Sequence, residues 1–249
     1  MVILHISNAN EWSGAEVILT DLMIGDTNNR HYIVTPDGYF SNYLKTKGII
    51  PIICKYIMRM NRDRNRNRFR KYCFHLFYLM CGNIIIMRHI LRIKPDIIQC
   101  NHLSALTYVV IYSIFGKRPI ILWVHDITRK LHSIDAVFMK YLTTACKKVI
   151  AISEAVRLNL LHNGVSNNKI IVIHNGVDIE YYNFKKEKRE KKEKFINKYY
   201  IDPNSLIIAI IAALVPWKGH EVLLQSAQWL TKNFMIKRKI GRASCRERV

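Results

Sequence analysis

Three polar stretches hold the side chains that could do chemistry, and each follows an apolar run. Ser13-Gly14-Ala15-Glu16 comes after Val2-Ile3-Leu4-His5-Ile6 and a polar loop. Free amides at a helix N-terminus opened by Gly14 can hold an anion, and Glu16 in the first turn suits the helix dipole. A tight turn with a dipole-favoured glutamate explains the same residues without a ligand. His125-Asp126 ends the run Pro119 to Val124. Histidine donates or accepts near neutral pH, so His125 is a candidate contact to a substrate hydroxyl. The competing reading is a loop histidine satisfied by its neighbours. Lys218-Gly219 stands where a later apolar run gives way to a helix. A lysine there can reach phosphate while helix amides add donors, or it is simply a surface lysine.

Two further strand exits read as structural. Ser153-Glu154 suits a helix cap with a first-turn acid. In Asn175-Gly176-Val177-Asp178, Gly176 suits a positive φ and Asp178 a turn cap. Other chemistries lack their signatures. The closely spaced glycines of a dinucleotide fingerprint are missing, as is any GxxxxGK[ST] loop. No GxSxG surrounds Ser153. No His/Cys/Asp group has metal-ligand spacing, and there is no DxD pair, so no metal site is expected.

The elements that must position these residues alternate. Strands are expected at 2–6, 31–34, 49–54, 97–100, 119–124, 148–152 and 169–173, the third at an edge because of Pro51. Helices are expected after Gly14, over 39–47 with Gly48 as the stop, in one or two pieces over 69–92, and over 103–115 and 134–145, with another starting at Ser153. Strand, loop, helix in repeated order predicts an α/β fold with a mostly parallel, covered sheet, whose ligands sit beyond the carboxyl ends of the strands. Lys185 to Lys194 is almost wholly charged and reads as a link or an exposed helix. A strand over Leu206 to Ala212 and a helix over Val222 to Leu230 then open a second α/β domain.

The chain has 249 residues, is 50% hydrophobic and carries a net charge of +21. That charge suits anionic partners. Its six cysteines lie in no CxxC pair and mostly in apolar runs, as expected of reduced core thiols in a cytoplasmic compartment. No signal peptide is visible, and no uninterrupted apolar run reaches membrane-spanning length. Lys55 to Lys71 holds eight Lys and Arg against one Asp, a net +7, and leads into the apolar stretch Cys73 to Leu91. This pattern suits a peripheral contact with anionic lipid or a lipid-linked substrate. A solvated loop is the bland alternative, and nucleic acid is disfavoured because no interleaved aromatics or known module accompany the charge. Residues 240–249 match an in-frame translation of a common sequencing adapter and are read as an artefact; without them the charge is +19.

In order and spacing these stretches resemble the retaining glycosyltransferases of family 4. The matching pieces are Gly14-Ala15-Glu16, Val124-His125-Asp126, Val149 to Glu154, Asn163-Gly164-Val165, Lys169 to Asp178 and Leu214 to Leu224. The resemblance implies a GT-B fold of two facing Rossmann-like domains. Residues 1–182 would be the acceptor-binding domain, 183–204 a charged linker, and 205–239 the start of a truncated nucleotide-sugar-binding domain. It implies sugar transfer from a nucleotide-sugar donor to a glycan or lipid-linked acceptor with retained configuration, without a cofactor, in cell-envelope polysaccharide synthesis, in the cytoplasm or on the inner face of its membrane. His125 would contact the transferred sugar. Gly14 and Glu16 would line the cleft near the acceptor and the donor phosphate. Lys218, with Gly219, would neutralise the departing diphosphate. Ala212-Ala213 stands where the family commonly has Gly-Arg, and the later acidic pair lies beyond the chain's last residue. The fragment itself is therefore expected to be inactive. A non-catalytic α/β binding domain or degenerate remnant is the alternative.

Overall fold

The structure is a computed structural model that describes residues 1–11, 13–57, 68–127, 133–182, 188–202, 208–212, 214 and 218–234. Trp12, most of the basic run (58–67), Trp217 and the adapter-like residues 240–249 lie outside the described residues. The chain divides into two compact units, Met1–Val177 and Asp178–Val249.

The first unit is built on one sheet. Its strands are β1 (Val2–Ile6), β2 (Arg30–Thr35), β3 (Ile52–Ile53), β4 (Ile97–Cys100), β5 (Ile120–Val124), β6 (Lys148–Ala151) and β7 (Ile170–Val172). Their order is β3-β2-β1-β4-β5-β6-β7, and every pairing is parallel. These strands are rich in isoleucine and valine, whose branched side chains suit a sheet covered on both faces. As Pro51 suggests, β3 takes an edge. The chain reverses direction across the sheet between β1 and β4, so the crevice beyond their carboxyl ends is the topological switch point.

Alternate strand positions feed two cores. Leu4, Ile6, Ile98, Cys100, Leu122 and Val149 share one cluster with Ile86 and Ile90. Ile33 and Trp123 share the other with Leu19, Met23, Phe40 and Leu44. The covering helices are α1 (Gly14–Gly25), α2 (Tyr39–Thr46), α3 (Arg68–Ile93), α4 (Leu103–Leu106), α5 (Val110–Phe115), α6 (Ser133–Thr144) and α7 (Glu154–His162). Gly48 stops α2 at φ 79°. The described cysteines Cys54, Cys81, Cys100 and Cys146 are free thiols. Burial pushes the Cys146 thiol up to about 12.

Two expectations meet a physical correction. The single helix expected over 103–115 is broken into α4, a 3-10 turn and α5. Asn83 of α3 supplies the reason: its amide donates to the Thr107 carbonyl at 2.9 Å and accepts from the Ile111 amide at 3.1 Å. Those two groups would bond each other in an uninterrupted helix, so the side chain has inserted into the ladder. Gly176 does not take a positive φ. A Cβ there would meet open space.

The second unit contains α8 (Ile179–Tyr182), α9 (Lys188–Lys198) and α10 (His220–Phe234). Over Lys188–Lys198 the charged stretch is therefore a helix. Residues 208–212 do not form the expected strand. A strand needs a ladder partner for its amides and carbonyls, and none pairs with this run among the described residues. Ile208 and Ile211 are 62% and 89% exposed.

A polar chain crosses the centre of the sheet on the α1 side. His5 Nδ1 donates to Gln99 Oε1, and His5 Nε2 lies 2.9 Å from His31 Nδ1. His31 Nε2 is 3.2 Å from Asp26 Oδ2 but outside hydrogen-bonding geometry. Burial lowers the His5 pKa from 6.5 to about 4, against the raising effect of Gln99. The unfolded chain thus binds a proton more readily than the folded one between these values. His5 contributes stability that is complete above pH 6.5 and is lost as pH falls towards 4, amounting to about 3 kcal/mol. Urea unfolding from pH 7 to pH 4 should show this acid limb, and His5→Phe should make it shallower, His125 supplying the remainder. A parent and variant with the same pH slope would contradict the assignment.

Candidate functional site at the switch point

The loops after β1 and β4 meet through one carboxylate, and the loop after β5 joins them through Asn101. Glu16, in the first turn of α1, is only 1% exposed. Its Oε2 accepts from the Ser13 amide at 3.2 Å and the Ser13 hydroxyl at 2.6 Å. Its Oε1 lies 2.6 Å from His102 Nε2 and 3.4 Å from Asn101 Nδ2. Reaching back to the amide that precedes the helix is the glutamate half of a capping box. The other half of the carboxylate spans to the β4 loop. Nearby, the Ser104 hydroxyl of α4 donates to Asn8 Oδ1 at 3.1 Å, which ties that helix to the loop after β1.

This geometry sets the state of His125. Burial raises the Glu16 pKa, but hydrogen bonding and charge from His102, with help from Ser13, outweigh it and hold the group below the usual carboxylate range. An ionised carboxylate only accepts, so Asn101 must present its NH2 to Glu16. Its carbonyl oxygen then faces His125 Nε2 at 3.2 Å. His125 must therefore donate from Nε2 and keep a lone pair on Nδ1. That Nδ1 is buried and has no partner among the described residues. Burial lowers the His125 pKa to about 4, with His102 adding to the effect and Glu16 and Asp126 opposing it. The ring is neutral at pH 7. It is braced by Trp123, whose ring centroid is 4.8 Å away.

Of the residues singled out from sequence, Gly14, Glu16 and His125 come together at this rim. Gly14 is exposed, and a Cβ on it would meet open space. It leaves the start of α1 bare. Glu16 has both oxygens engaged by protein donors, which leaves Gly14 and its backbone as the open part of this turn. Asp126 is exposed. Ser153 is a cap: its hydroxyl accepts from the Val156 amide at 3.3 Å. Lys218 and Gly219 belong to the second unit. Lys218 is exposed just ahead of α10, and Gly219 takes φ 76°, a conformation that favours glycine. The Leu223 amide donates to the Gly219 carbonyl, which starts that helix.

Sequence reasoning left Asn101 and His102 without a role, although they follow β4 as His125-Asp126 follows β5. Matching polar pairs after neighbouring strands were the available signal. A cavity of about 560 Å3 lies at the opposite, amino end of β5 to β7. Lys169 and Lys148 on its wall are already bonded to backbone carbonyls. Among the described residues, no side chain lining it carries a buried unpartnered group such as His125 Nδ1.

The model of Glycosyltransferase Family 4 matches residues 13–181. The chain belongs to that family. An uncharacterized glycosyltransferase of Methanocaldococcus jannaschii is 31% identical over 106 residues, covering 43% of this chain and 25% of the relative. The family fold is also seen in solved structures. Anabaena Alr3699/HepE in complex with UDP superposes with a TM-score of 0.68 at 21% identity, over 92% of this chain and 58% of that one. A glycosyltransferase of Rickettsia africae gives 0.67 at 21% identity, over 93% and 57%. These likenesses support the GT-B, Rossmann-like α/β architecture. The chain spans a little over half the length of those structures and a quarter of the archaeal relative.

The state of the family chain's His125 is measurable. Its ring nitrogens should report an Nε2–H tautomer by 15N NMR and stay neutral until about pH 4. Asn101→Ala should mix the tautomers. A His125 that titrates near 6.5 in the parent chain would contradict the geometry.

Proposed function

We propose that the protein acts as a glycosyltransferase, moving a sugar from a nucleotide-sugar donor to a glycan or lipid-linked acceptor with retained configuration. The observation that carries this reading is the buried Nδ1 of His125 at the carboxyl rim, without a partner among the described residues. A neutral imidazole with one fixed lone pair can accept from a sugar hydroxyl. With a pKa of about 4 it is a poor base at neutral pH, so its task is to orient the sugar rather than to remove the reacting proton. The Anabaena protein has been solved with UDP and with UDP-glucose, which favours a uridine-diphosphate sugar as donor.

In the reaction, the bond between the anomeric carbon and the diphosphate oxygen breaks. The acceptor hydroxyl oxygen bonds that carbon, and the hydroxyl proton leaves with the diphosphate. Negative charge grows on the leaving group, and Lys218 with the first amides of α10 would stabilise it. Gly14 leaves the start of α1 open to an anion. With alanines at 212 and 213, where the family commonly has Gly-Arg, Lys218 bears more of this task. A cell-envelope polysaccharide is the class of product favoured by the strongly basic sequence, with its net charge of +21.

The test is transfer by the complete gene product from a panel of nucleotide sugars, with the product anomer read by NMR. His125→Ala and Lys218→Ala should each lower kcat/KM by about 10²-fold or more, with unchanged circular dichroism. Full activity in either variant removes that residue's role. An inverted anomer removes retention, and absence of transfer by the complete protein overturns the reading.

A further inference from the structure

We propose that the outer face of α3 is a docking surface for an anionic phospholipid bilayer. A helix that is apolar on one face buries it, and a helix that is apolar all round is enclosed by protein or lipid. α3 is apolar on two opposite faces. Ile86 and Ile90 lie in the core, and Asn83 is tied to Thr107 and Ile111. On the far side, Phe77, Met80, Ile84 and Leu91 follow each other at helical spacing and are 56%, 55%, 60% and 61% exposed. They form a stripe about 21 Å long. At those exposures the described residues of the first unit leave the stripe largely uncovered.

Charge chooses the occupant. Arg88 is exposed one turn from both Ile84 and Leu91. The sequence over 55–71, which runs into this helix, carries a net +7. A second copy of the chain would bring the same cations together, whereas an anionic bilayer offers both acyl chains and phosphate. The segment Leu76–Ile93 is long and apolar enough to cross a membrane. The attachment of Asn83, Ile86 and Ile90 to the fold instead lays the helix along the surface. This inference stands apart from the donor and acceptor assignments above.

The 249-residue chain should co-sediment with vesicles of phosphatidylcholine and phosphatidylglycerol, lose binding as salt rises, and ignore vesicles of phosphatidylcholine alone. Phe77→Asp with Ile84→Asp should weaken binding to the anionic vesicles by about a hundredfold. Both positions are exposed, and Phe77→Ser with Ile84→Ser gives a milder pair should the charged one unfold. Failure of the parent to bind anionic vesicles overturns the proposal, as does equal binding to neutral ones or undiminished binding by a folded variant. A parent that stays off vesicles but forms a dimer dissolved by these substitutions assigns the face to a second copy.

Discussion

The Glu16 carboxylate is the constraint on which the rim depends. A buried carboxylate without partners is strongly disfavoured. Here four donors converge on it: two from Ser13, and one each from His102 and Asn101. Because those donors come from the loops after β1 and β4, satisfying the charge also fastens the loops together across the point where the sheet changes direction. The acceptor-only character of the carboxylate then orients the Asn101 amide, and the amide orients the His125 proton. One ionised group thus decides the hydrogen-bonding state of a ring to which it is not itself bonded.

Much of the scaffold was legible because its signals are local. Apolar runs punctuated by polar pairs located the seven strands of the first unit, and Pro51 and Gly48 marked an edge and a stop for reasons tied to backbone chemistry. Strand lengths at β3 and β7 were overestimated, since Ile49 has a suitable side chain but lies beyond the ladder and Lys169 belongs to a 3-10 turn. The break between α4 and α5 was not legible. It depends on Asn83, more than twenty positions away, which substitutes for a local hydrogen bond. The strand expected in the second unit fails for the related reason that pairing is non-local.

The site was half legible. His125 and Gly14 announced themselves by position after strands, whereas Glu16 read as a dipole-favoured acid and proved to be an internal tie. Asn101 and His102 lacked a role until the register of β1 against β4 placed them opposite it. The buried trio His5, His31 and Gln99 was equally silent, because each residue taken alone looks like an isolated polar exception in an apolar strand. The expected contribution of His5 to acid sensitivity comes from that company rather than from its sequence neighbours.

The sheet's outer strands have a consequence for how the molecule meets its surroundings. β3 contains two residues and β7 three, so either border presents few open amides and carbonyls. Such short borders offer a poor template for strand-by-strand polymerisation. The large apolar surface is carried by a helix, whose backbone groups are already satisfied. The protein can therefore be adhesive through side chains while remaining closed to backbone zippering, which separates reversible attachment from aggregation.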